Sequence, residues 1–285
     1  MKKSIAQSIK QVVNNLPNIE TQICGKIVLE NNYLYIQDES GKISIDGIPH
    51  RYVGSTLCAK GTLKISSYEQ KGMAFFRLFA SEFEVKERAE AYDKFMQEIE
   101  KLMTKRTHRD FIEYFRSILK NQNSVRLLLI HGKSAQTHQD FLTGLKSSAG
   151  EHFNLLEIEM IETPLRDAEL SKALSQYDPQ KHDAVFVVRG GGPSEDLMLV
   201  GGDLCILEVL RKDIPLFVAL GHSFDVGLSP LERVANYAFA TPSLAGAQLG
   251  SLLRNLIALE KTTQSQQCSF SQMIGCILKA LGLRR

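Results

Sequence analysis

The chain has 285 residues, of which 44% are hydrophobic and 23% charged. This composition supplies enough apolar material for buried cores and excludes a chain that is disordered throughout. The net charge of +2 indicates no general attraction to nucleic acid, so a polyanion site has to come from a local cluster of cations. At this length we expect two domains.

The five cysteines are an odd number, and no two of them form a CxxC pair. That pattern argues against a disulfide framework and a zinc site, and it is typical of a reducing compartment. The first residues lack the apolar run of a signal peptide, and no stretch approaches the ~20 apolar residues of a membrane span. We therefore expect a cytoplasmic protein that makes no membrane contact.

The N-terminal third of the chain changes its hydrophobic period near residue 18. Residues 1–17 place apolar side chains at helical spacing and predict an N-terminal helix. Residues 18–86 alternate apolar and polar positions between turn signals, which is typical of antiparallel hairpins. Five short strands in this space match an OB-fold, a small closed barrel that binds single-stranded nucleic acid. A small sandwich or an SH3-like module has the same alternation and stays open.

Aromatic rings and cations are interleaved along this predicted barrel. In modules that bind single strands, bases stack on the rings and cations contact phosphates. Most aromatic residues of a small barrel belong to its core, so the pattern alone supports nucleic-acid binding only weakly. The candidate contacts are Tyr33, Tyr35, Lys64, Tyr68 and Arg77.

The rest of the chain indicates an α/β domain. Residues 87–122 contain neither glycine nor proline and predict a helical linker. Within residues 123–262 the buried-strand patterns VRLLLIHGK, DAVFVVRGGG and IPLFVALGHS alternate with helical patterns, which predicts a mainly parallel sheet. The predicted fold class is thus an α/β domain with a mainly parallel sheet, preceded by an all-β OB-fold. Residues 263–285 form a C-terminal tail with helical spacing.

Polar clusters follow three of the predicted strands, namely HGKSAQTHQD, RGGGPSED and GHSFD. Sites of parallel sheets form where strands end, so we expect these clusters to converge. Three consecutive glycines allow backbone amides to approach an anion, and the preceding Arg189 offers a guanidinium fork for phosphate. In GHSFD, His222 can serve as a general acid or base, and Asp225 can orient it or hold a metal. Asp140 is either part of this site or an ordinary acid in the first turn of a helix.

Three segments in this order, VVRGGGPSEDL, PLFVALGHSFD and ATPSLAGAQ, resemble the catalytic domain of the exonuclease VII large subunit. The patterns of that family are RGGGS-x-EDL, V-GHE-x-D and D-x-R-A-x-TPSAAAE. The resemblance covers roughly residues 18–260, including the OB-like segment. It implies an enzyme that degrades single-stranded DNA from either end and acts with several copies of a small helical subunit.

The resemblance also implies the site residues. Asp140 falls on the acid of the family's TSPTGAAIRD motif, and Arg189, His222 and Asp225 fall on the other candidate catalytic positions. In the implied reaction Arg189 and the glycine amides hold the scissile phosphate, Asp140 or Asp225 orients water or a metal, and His222 transfers the proton. A Mg²⁺ requirement stays open, and no tightly bound cofactor is expected. The phosphate-binding glycines are Gly190, Gly191 and Gly192.

Several family positions carry other residues in this chain. Ser223 stands where the family has glutamate, Pro193 where it has serine, Asn236 where it has aspartate and Ala238 where it has arginine, and HGKSA replaces TSPTG. The loss of carboxylate and guanidinium groups weakens metal or phosphate binding.

These departures leave two alternatives to an active exonuclease. One is a weakly active or inactive single-stranded-DNA-binding relative within a larger assembly. The other is a protein that binds nucleotides or sugar phosphates, which would leave the barrel unexplained. The segment after TPS is much shorter than the family's long helical region, so the small-subunit partner also stays open.

Overall fold

The computed structural model describes residues 18–256 except residues 32, 69–72, 123, 133–135, 191–196, 198 and 222–228. The predicted N-terminal helix and C-terminal tail lie outside the described residues. Within the part of the chain that is described, no helix is long and apolar enough to cross a membrane. The α-helices are α1 (Glu90–Met103), α2 (Phe111–Asn121), α3 (Thr137–Ala149), α4 (Asp167–Leu174), α5 (Asp203–Arg211) and α6 (242–256).

The chain divides into two compact units. The first, which we call the barrel unit, comprises Met1–Thr107, Arg166–Lys172 and Leu199–Asp213. The second, the sheet unit, comprises His108–Leu165, Ala173–Met198 and Ile214–Arg285.

Five strands of the barrel unit close into a barrel in the order β1-β2-β3-β5-β4. All neighbouring pairs are antiparallel except β3 and β5, which are parallel. Alternate residues point inward and bury a core that includes Ile27, Ile36 and Leu78, and this explains the period-two pattern of the sequence. The strands are β1 (Ile19–Glu30), β2 (Tyr33–Asp38), β3 (Gly41–Asp46), β4 (Thr56–Tyr68) and β5 (Met73–Glu87).

The turn between β2 and β3 is organised by the side chain of Asp38. Its carboxylate accepts hydrogen bonds from the amide and hydroxyl of Ser40 and from the amide of Gly41. These bonds, led by the one from the Ser40 hydroxyl, hold the pKa of Asp38 below its usual value. This turn is therefore formed locally, by one side chain and the backbone that follows it.

The expectation that the cysteines form no disulfide is wrong for one pair. Cys24 of β1 and Cys58 of β4 are directly opposite each other in the antiparallel ladder, and they are joined by a disulfide. Their Cα atoms are 3.9 Å apart. Counting cysteines and inspecting their spacing could not reveal this pair, because the two residues meet only when β1 closes the barrel against β4.

The sheet unit contains a five-stranded sheet in the order β10-β9-β8-β6-β7. Every neighbouring pair is parallel, so the predicted parallel sheet is confirmed. Phe111 and Phe115 of α2 pack against Phe217 with ring centroids 5.5 Å and 5.4 Å away, which covers one part of the sheet with aromatic side chains. The strands are β6 (Val125–His131), β7 (Leu156–Glu162), β8 (Ala184–Arg189), β9 (Leu216–Leu220) and β10 (Tyr237–Phe239).

Helices α3 and α6 approach each other closely in the same unit. A Cβ atom added at Gly246 of α6 would lie 2.0 Å from the carbonyl oxygen of Phe141, so only glycine permits this separation. Around the contact, Leu145 of α3 and Leu249 and Leu253 of α6 are fully buried in the core of the unit. The middle of α3 is thereby held by packing on a second helix.

Candidate functional site

The carboxyl ends of three neighbouring strands lie side by side in the sheet unit. His131 ends β6 and pairs with Val188 of β8, while Arg189 ends β8 and pairs with Leu220 of β9. The strand order reverses between β6 and β8, because β7 lies on one side of β6 and all later strands lie on the other. Such a reversal opens a crevice beyond the strand ends, where parallel sheets bind ligands. We call this region the strand-end site.

The two sides of the crevice are joined by a hydrogen bond between Gly190 and Thr137. The Gly190 amide donates to the Thr137 hydroxyl over 3.1 Å, so the residue after β8 contacts the first residue of α3. A Cβ atom at position 190 would lie 2.8 Å from the Thr137 hydroxyl oxygen, closer than such contacts normally come. Glycine at this position therefore permits the close approach of β8 to Thr137, while the predicted approach of the glycine amides to an anion stays a prediction.

Arg189 and Asp140 are both placed at this edge. Arg189 directs Nη1 to the carbonyl oxygen of Gly190 at 3.3 Å. Asp140 lies in the first turn of α3, three residues after Thr137, and its side chain is exposed. An exposed first-turn carboxylate fits both interpretations of Asp140, the catalytic one and the helix-stabilising one.

The remaining predicted residues of the site, Gly191, Gly192, His222 and Asp225, lie outside the described residues. The chain that leads to His222 is described as far as Gly221, whose amide donates to the carbonyl oxygen of Arg189 over 3.0 Å. Within the described ranges, no group of three His, Cys, Asp or Glu side chains is arranged to hold a metal ion.

Two histidines that sequence reasoning did not single out also lie at this edge. His131 is 5% exposed, and its ring stacks on the ring of His138 with centroids 4.3 Å apart and planes inclined by 28°. The available signal was that both residues occur in the strand-end segment HGKSAQTH, one at the end of β6 and one in the first turn of α3. Without the three-dimensional structure, nothing in that segment shows that the rings meet.

A second candidate surface lies on the outside of the barrel. Tyr35 is directly opposite Ser44, Ser44 is opposite Arg77, and Arg77 is opposite Lys64, so these residues form one row across β2, β3, β5 and β4. Tyr33 is two residues before Tyr35, on the same face of β2. We call this surface the barrel face. Of the five predicted contacts, the structure brings four to this face; the side chain of Tyr68 lies outside the described residues.

Cations on the barrel face lie beside aromatic rings. Lys42 Nζ is 5.2 Å from the ring centroid of Tyr35, and Lys64 Nζ is 5.0 Å from that of Phe79. Arg77 lies 5.3 Å from the ring of Phe75 and also forms an ion pair with Asp46 over 3.2 Å. The face thus offers rings for stacking and cations for phosphate contact at neighbouring positions.

Comparison with known proteins decides the family. A sequence profile described as exonuclease VII, large subunit, matches residues 121–279, which is more than half of the chain. The chain belongs to the exonuclease VII large subunit family. The resemblance predicted from the three motifs is therefore confirmed. The profile match begins after the barrel, so it covers the sheet unit's strands and not β1 to β5.

Curated relatives agree with the family match. The chain is 27% identical over 152 residues to the exodeoxyribonuclease 7 large subunit of Xanthomonas euvesicatoria pv. vesicatoria (strain 85-10) and to that of Xanthomonas campestris pv. campestris (strain B100). It is 26% identical over 152 residues to the protein of the same name in Xanthomonas oryzae pv. oryzae (strain PXO99A). Each alignment covers 52% of this chain and 33% of the relative, so the chain matches about a third of the length of these proteins.

The structure also places two of the positions at which this exonuclease VII family member departs from the motif. Asn236 is buried directly before β10. Its side-chain oxygen accepts a hydrogen bond from the backbone amide of Leu216, and its backbone amide donates to the carbonyl oxygen of Leu216. Leu216 is the first residue of β9, so Asn236 clamps the amino ends of two strands, at the opposite edge from Arg189. Ala238 lies within β10, opposite Val218. The asparagine therefore replaces the family's aspartate in a structural position outside the strand-end site.

Proposed function

We propose that the chain hydrolyses phosphodiester bonds of single-stranded DNA from its ends, as the name of its relatives, exodeoxyribonuclease 7 large subunit, implies. The observation that carries this proposal is the strand-end site. Arg189 and Gly190 lie at the point where the strand order of a parallel sheet reverses, within the region that matches the family. A guanidinium beside a glycine-rich loop at such a point is suited to bind a phosphate.

In the proposed reaction, Arg189 holds the scissile phosphodiester and stabilises the charge that develops on its oxygens. The amide of Gly190 is occupied by the Thr137 hydroxyl, so we assign the backbone contacts to phosphate to Gly191 and Gly192. Asp140 or Asp225 orients the attacking water, and these carboxylates would hold Mg²⁺ if the reaction uses it. His222 moves a proton from the attacking water to the leaving oxygen.

The barrel's proposed role is to hold the single strand. Its closed order of five strands, with β1 paired to β4 and β3 parallel to β5, supports the OB-fold assignment. The row from Tyr35 to Lys64 runs across β2 and β3, the strands through which OB-folds bind oligonucleotides. In this proposal bases stack on the exposed rings of the barrel face, and Lys64 and Arg77 contact the DNA backbone.

The test is digestion of an end-labelled single-stranded oligonucleotide by the purified chain. The assay is run with Mg²⁺ and with EDTA, alone and with a small subunit of the family, because the resemblance implies that partner. We expect wild type to release short products and His222→Ala to bind DNA without cleaving it. Arg189→Lys keeps the positive charge and removes the guanidinium fork. It should cleave more slowly than wild type, whereas a role that depended on charge alone would leave the rate unchanged. Double-stranded DNA of the same sequence serves as the control substrate.

One observation favours a second candidate function. The family's arginine position is Ala238 here, so the chain lacks one guanidinium that its relatives carry. A chain that binds single-stranded DNA tightly and cleaves it under no tested condition would be a DNA-binding member of the family. A chain that binds a mononucleotide as tightly as oligo(dT) would contradict both functions.

A further inference from the structure

The strand-end site contains a pair of stacked histidines whose surroundings differ. The ring of His131 is buried at the end of β6, and its Nδ1 lies 3.0 Å from the carbonyl oxygen of Gly132. A carbonyl oxygen can only accept, so Nδ1 of His131 carries the hydrogen in this contact. The orientation of the His131 ring is thereby determined by a backbone hydrogen bond.

His138 lies on this fixed ring. The centroids of the two rings are 4.3 Å apart, and the 28° angle between their planes makes the contact a stack. His138 is in the first turn of α3, whose first residue, Thr137, is held by the amide of Gly190. The His138 ring is therefore oriented by His131 on one side and anchored through the α3 backbone to the residue after β8.

The Nδ1 atom of His138 is buried and has no hydrogen-bond partner among the residues that the structure describes. An imidazole nitrogen that is removed from water without a partner costs free energy, and such groups in native proteins are usually explained by a ligand, a water or a catalytic role. Two features of the same edge of the sheet favour an anion. They are the backbone amides at the start of α3, which carry partial positive charge, and Arg189 at the end of β8, the strand adjacent to β6.

We propose that His138 is a substrate-binding residue whose Nδ1–H donates to a non-bridging oxygen of the phosphodiester that Arg189 holds. His131 is a positioning residue that keeps the His138 ring in place. This assignment rests on the proposed function and adds a phosphate contact to it. The family motif TSPTGAAIRD has threonine at the position of His131 and isoleucine at that of His138, so the pair is a feature of this chain and not of the motif.

The first experiment compares substitutions that place an amide nitrogen at different points of the ring. In His138→Asn the side-chain amide lies near the position of Nδ1, in His138→Gln it lies near Nε2, and His138→Leu has no donor. The probe is fluorescein-labelled (dT)20 with unmodified phosphodiester linkages, and affinity is measured by anisotropy at fixed salt in a His222→Ala background, which prevents cleavage. We expect a loss of about tenfold in affinity for the leucine and glutamine variants and a change within about twofold for asparagine. His152→Leu, on the 3-10 helix Gly150–Leu155, is the matched histidine control and should bind as wild type does.

The second experiment tests whether His131 acts through His138. Replacement by alanine removes the stack, so His131→Ala should weaken binding in the wild-type background and change nothing further in the His138→Leu background. A purely structural loss of stability would lower affinity in both backgrounds. Nitrogen-15 spectra of the histidine rings provide an independent readout, because (dT)20 should shift Nδ1 of His138 more than its Nε2.

The possible results separate this assignment from the function on which it rests. If wild type binds or cleaves single-stranded DNA and all three variants at position 138 match it, the assignment is overturned and the proposed function survives. The same conclusion follows if glutamine preserves affinity and asparagine does not. If wild type neither binds nor cleaves the oligonucleotide, the proposed function fails, and the phosphate contact fails with it.

Discussion

The amide of Gly190 donates a hydrogen bond to the hydroxyl of Thr137, and this bond connects the end of β8 to the start of α3. The two residues are 53 positions apart in the chain. This contact brings the residue that follows Arg189 next to the helix that carries His138 and Asp140. The candidate chemistry of the sheet unit therefore depends on how closely these two backbones approach.

We predict that Gly190→Ala lowers the rate of DNA cleavage by about 10²-fold with little change in the thermal midpoint of unfolding. The added Cβ would lie 2.8 Å from the Thr137 hydroxyl oxygen and would displace the start of α3. Displacements of about 1 Å in a catalytic site cost rates of this order. Single-turnover cleavage and calorimetry provide the two measurements.

Removal of the atom that crowds the new methyl group tests the cause of this loss. The double variant Gly190→Ala/Thr137→Ala should lose less activity than the combined losses of the two single variants. The reason is that the hydroxyl oxygen that crowds the new methyl group is absent from the double variant. Thr137→Ser keeps the hydroxyl and should behave as wild type. Additive losses in the double variant would contradict the steric explanation.

We predict that the barrel face carries most of the affinity for single-stranded DNA. Tyr35→Ala should weaken binding of oligo(dT) by about 1–3 kcal/mol, since it removes one stacking ring. Lys64→Ala should reduce the slope of log affinity against log salt by about 0.7, the value for one phosphate contact on a single strand. Anisotropy titrations at several salt concentrations measure both effects. Lys94→Ala, an exposed cation on α1, makes the same charge change and should leave the slope unaltered.

The barrel unit contains two aspartates, one buried and one largely buried, whose pKa values are displaced in opposite directions. Burial raises the pKa of Asp203, and the amide and guanidinium of Arg51 oppose this only in part. Burial acts in the same sense on Asp167, but hydrogen bonds from His50 and from the amides of Leu204 and Cys205 outweigh it and lower the pKa of Asp167. The Asp203 side chain is 3% exposed and that of Asp167 15% exposed.

These displacements predict that the free energy of unfolding depends differently on pH in the variants Asp167→Asn and Asp203→Asn. Asp167 contributes stability that is present above the usual carboxyl pKa of about 3.9 and is lost only as pH falls below it. The stability contributed by Asp203 is fully present below about pH 3.9. It is lost as pH rises through the pKa of Asp203 in the folded state, which is higher. In urea unfolding between pH 4 and 7, titration of the Asp167 carboxyl should add no slope to the deficit of Asp167→Asn. Asp203→Asn should gain stability relative to wild type as pH rises, and a flat difference would contradict the raised pKa.

We predict that the Cys24–Cys58 disulfide stabilises the barrel. The sequence separation of 34 residues corresponds to about 3–4 kcal/mol of chain entropy removed from the unfolded state. Urea unfolding with and without dithiothreitol should show a loss of this order. Cys24→Ser should match reduced wild type and should not respond to the reductant.

The redox state in the cell is a separate measurement. The prediction of a reducing, cytoplasmic setting stays a prediction, and trapping of free thiols by alkylation in intact cells tests it. A wild-type protein whose unfolding is insensitive to dithiothreitol would contradict the stabilising role of the disulfide.

Much of the fold could be predicted because burial imposes a local period. The alternation in residues 18–86 predicted strands, and the apolar runs before His131, Arg189 and Gly221 predicted three buried strands of a parallel sheet. Strand β7 was missed because it is an edge strand with glutamates at three of its seven positions, and β10 because it has three residues. Neither has the continuous apolar run that burial on both faces requires.

The sequence by itself determined the family, because three motifs at strand ends are recognisable without coordinates. Only the tertiary structure decided which distant residues meet. It aligned Tyr35 with Lys64 across four strands, joined Cys24 to Cys58 and stacked His131 on His138. The physical reason is that local patterns record which side of an element is buried. Strand register and loop closure depend on the packing of the whole chain, and they leave no local pattern in the sequence.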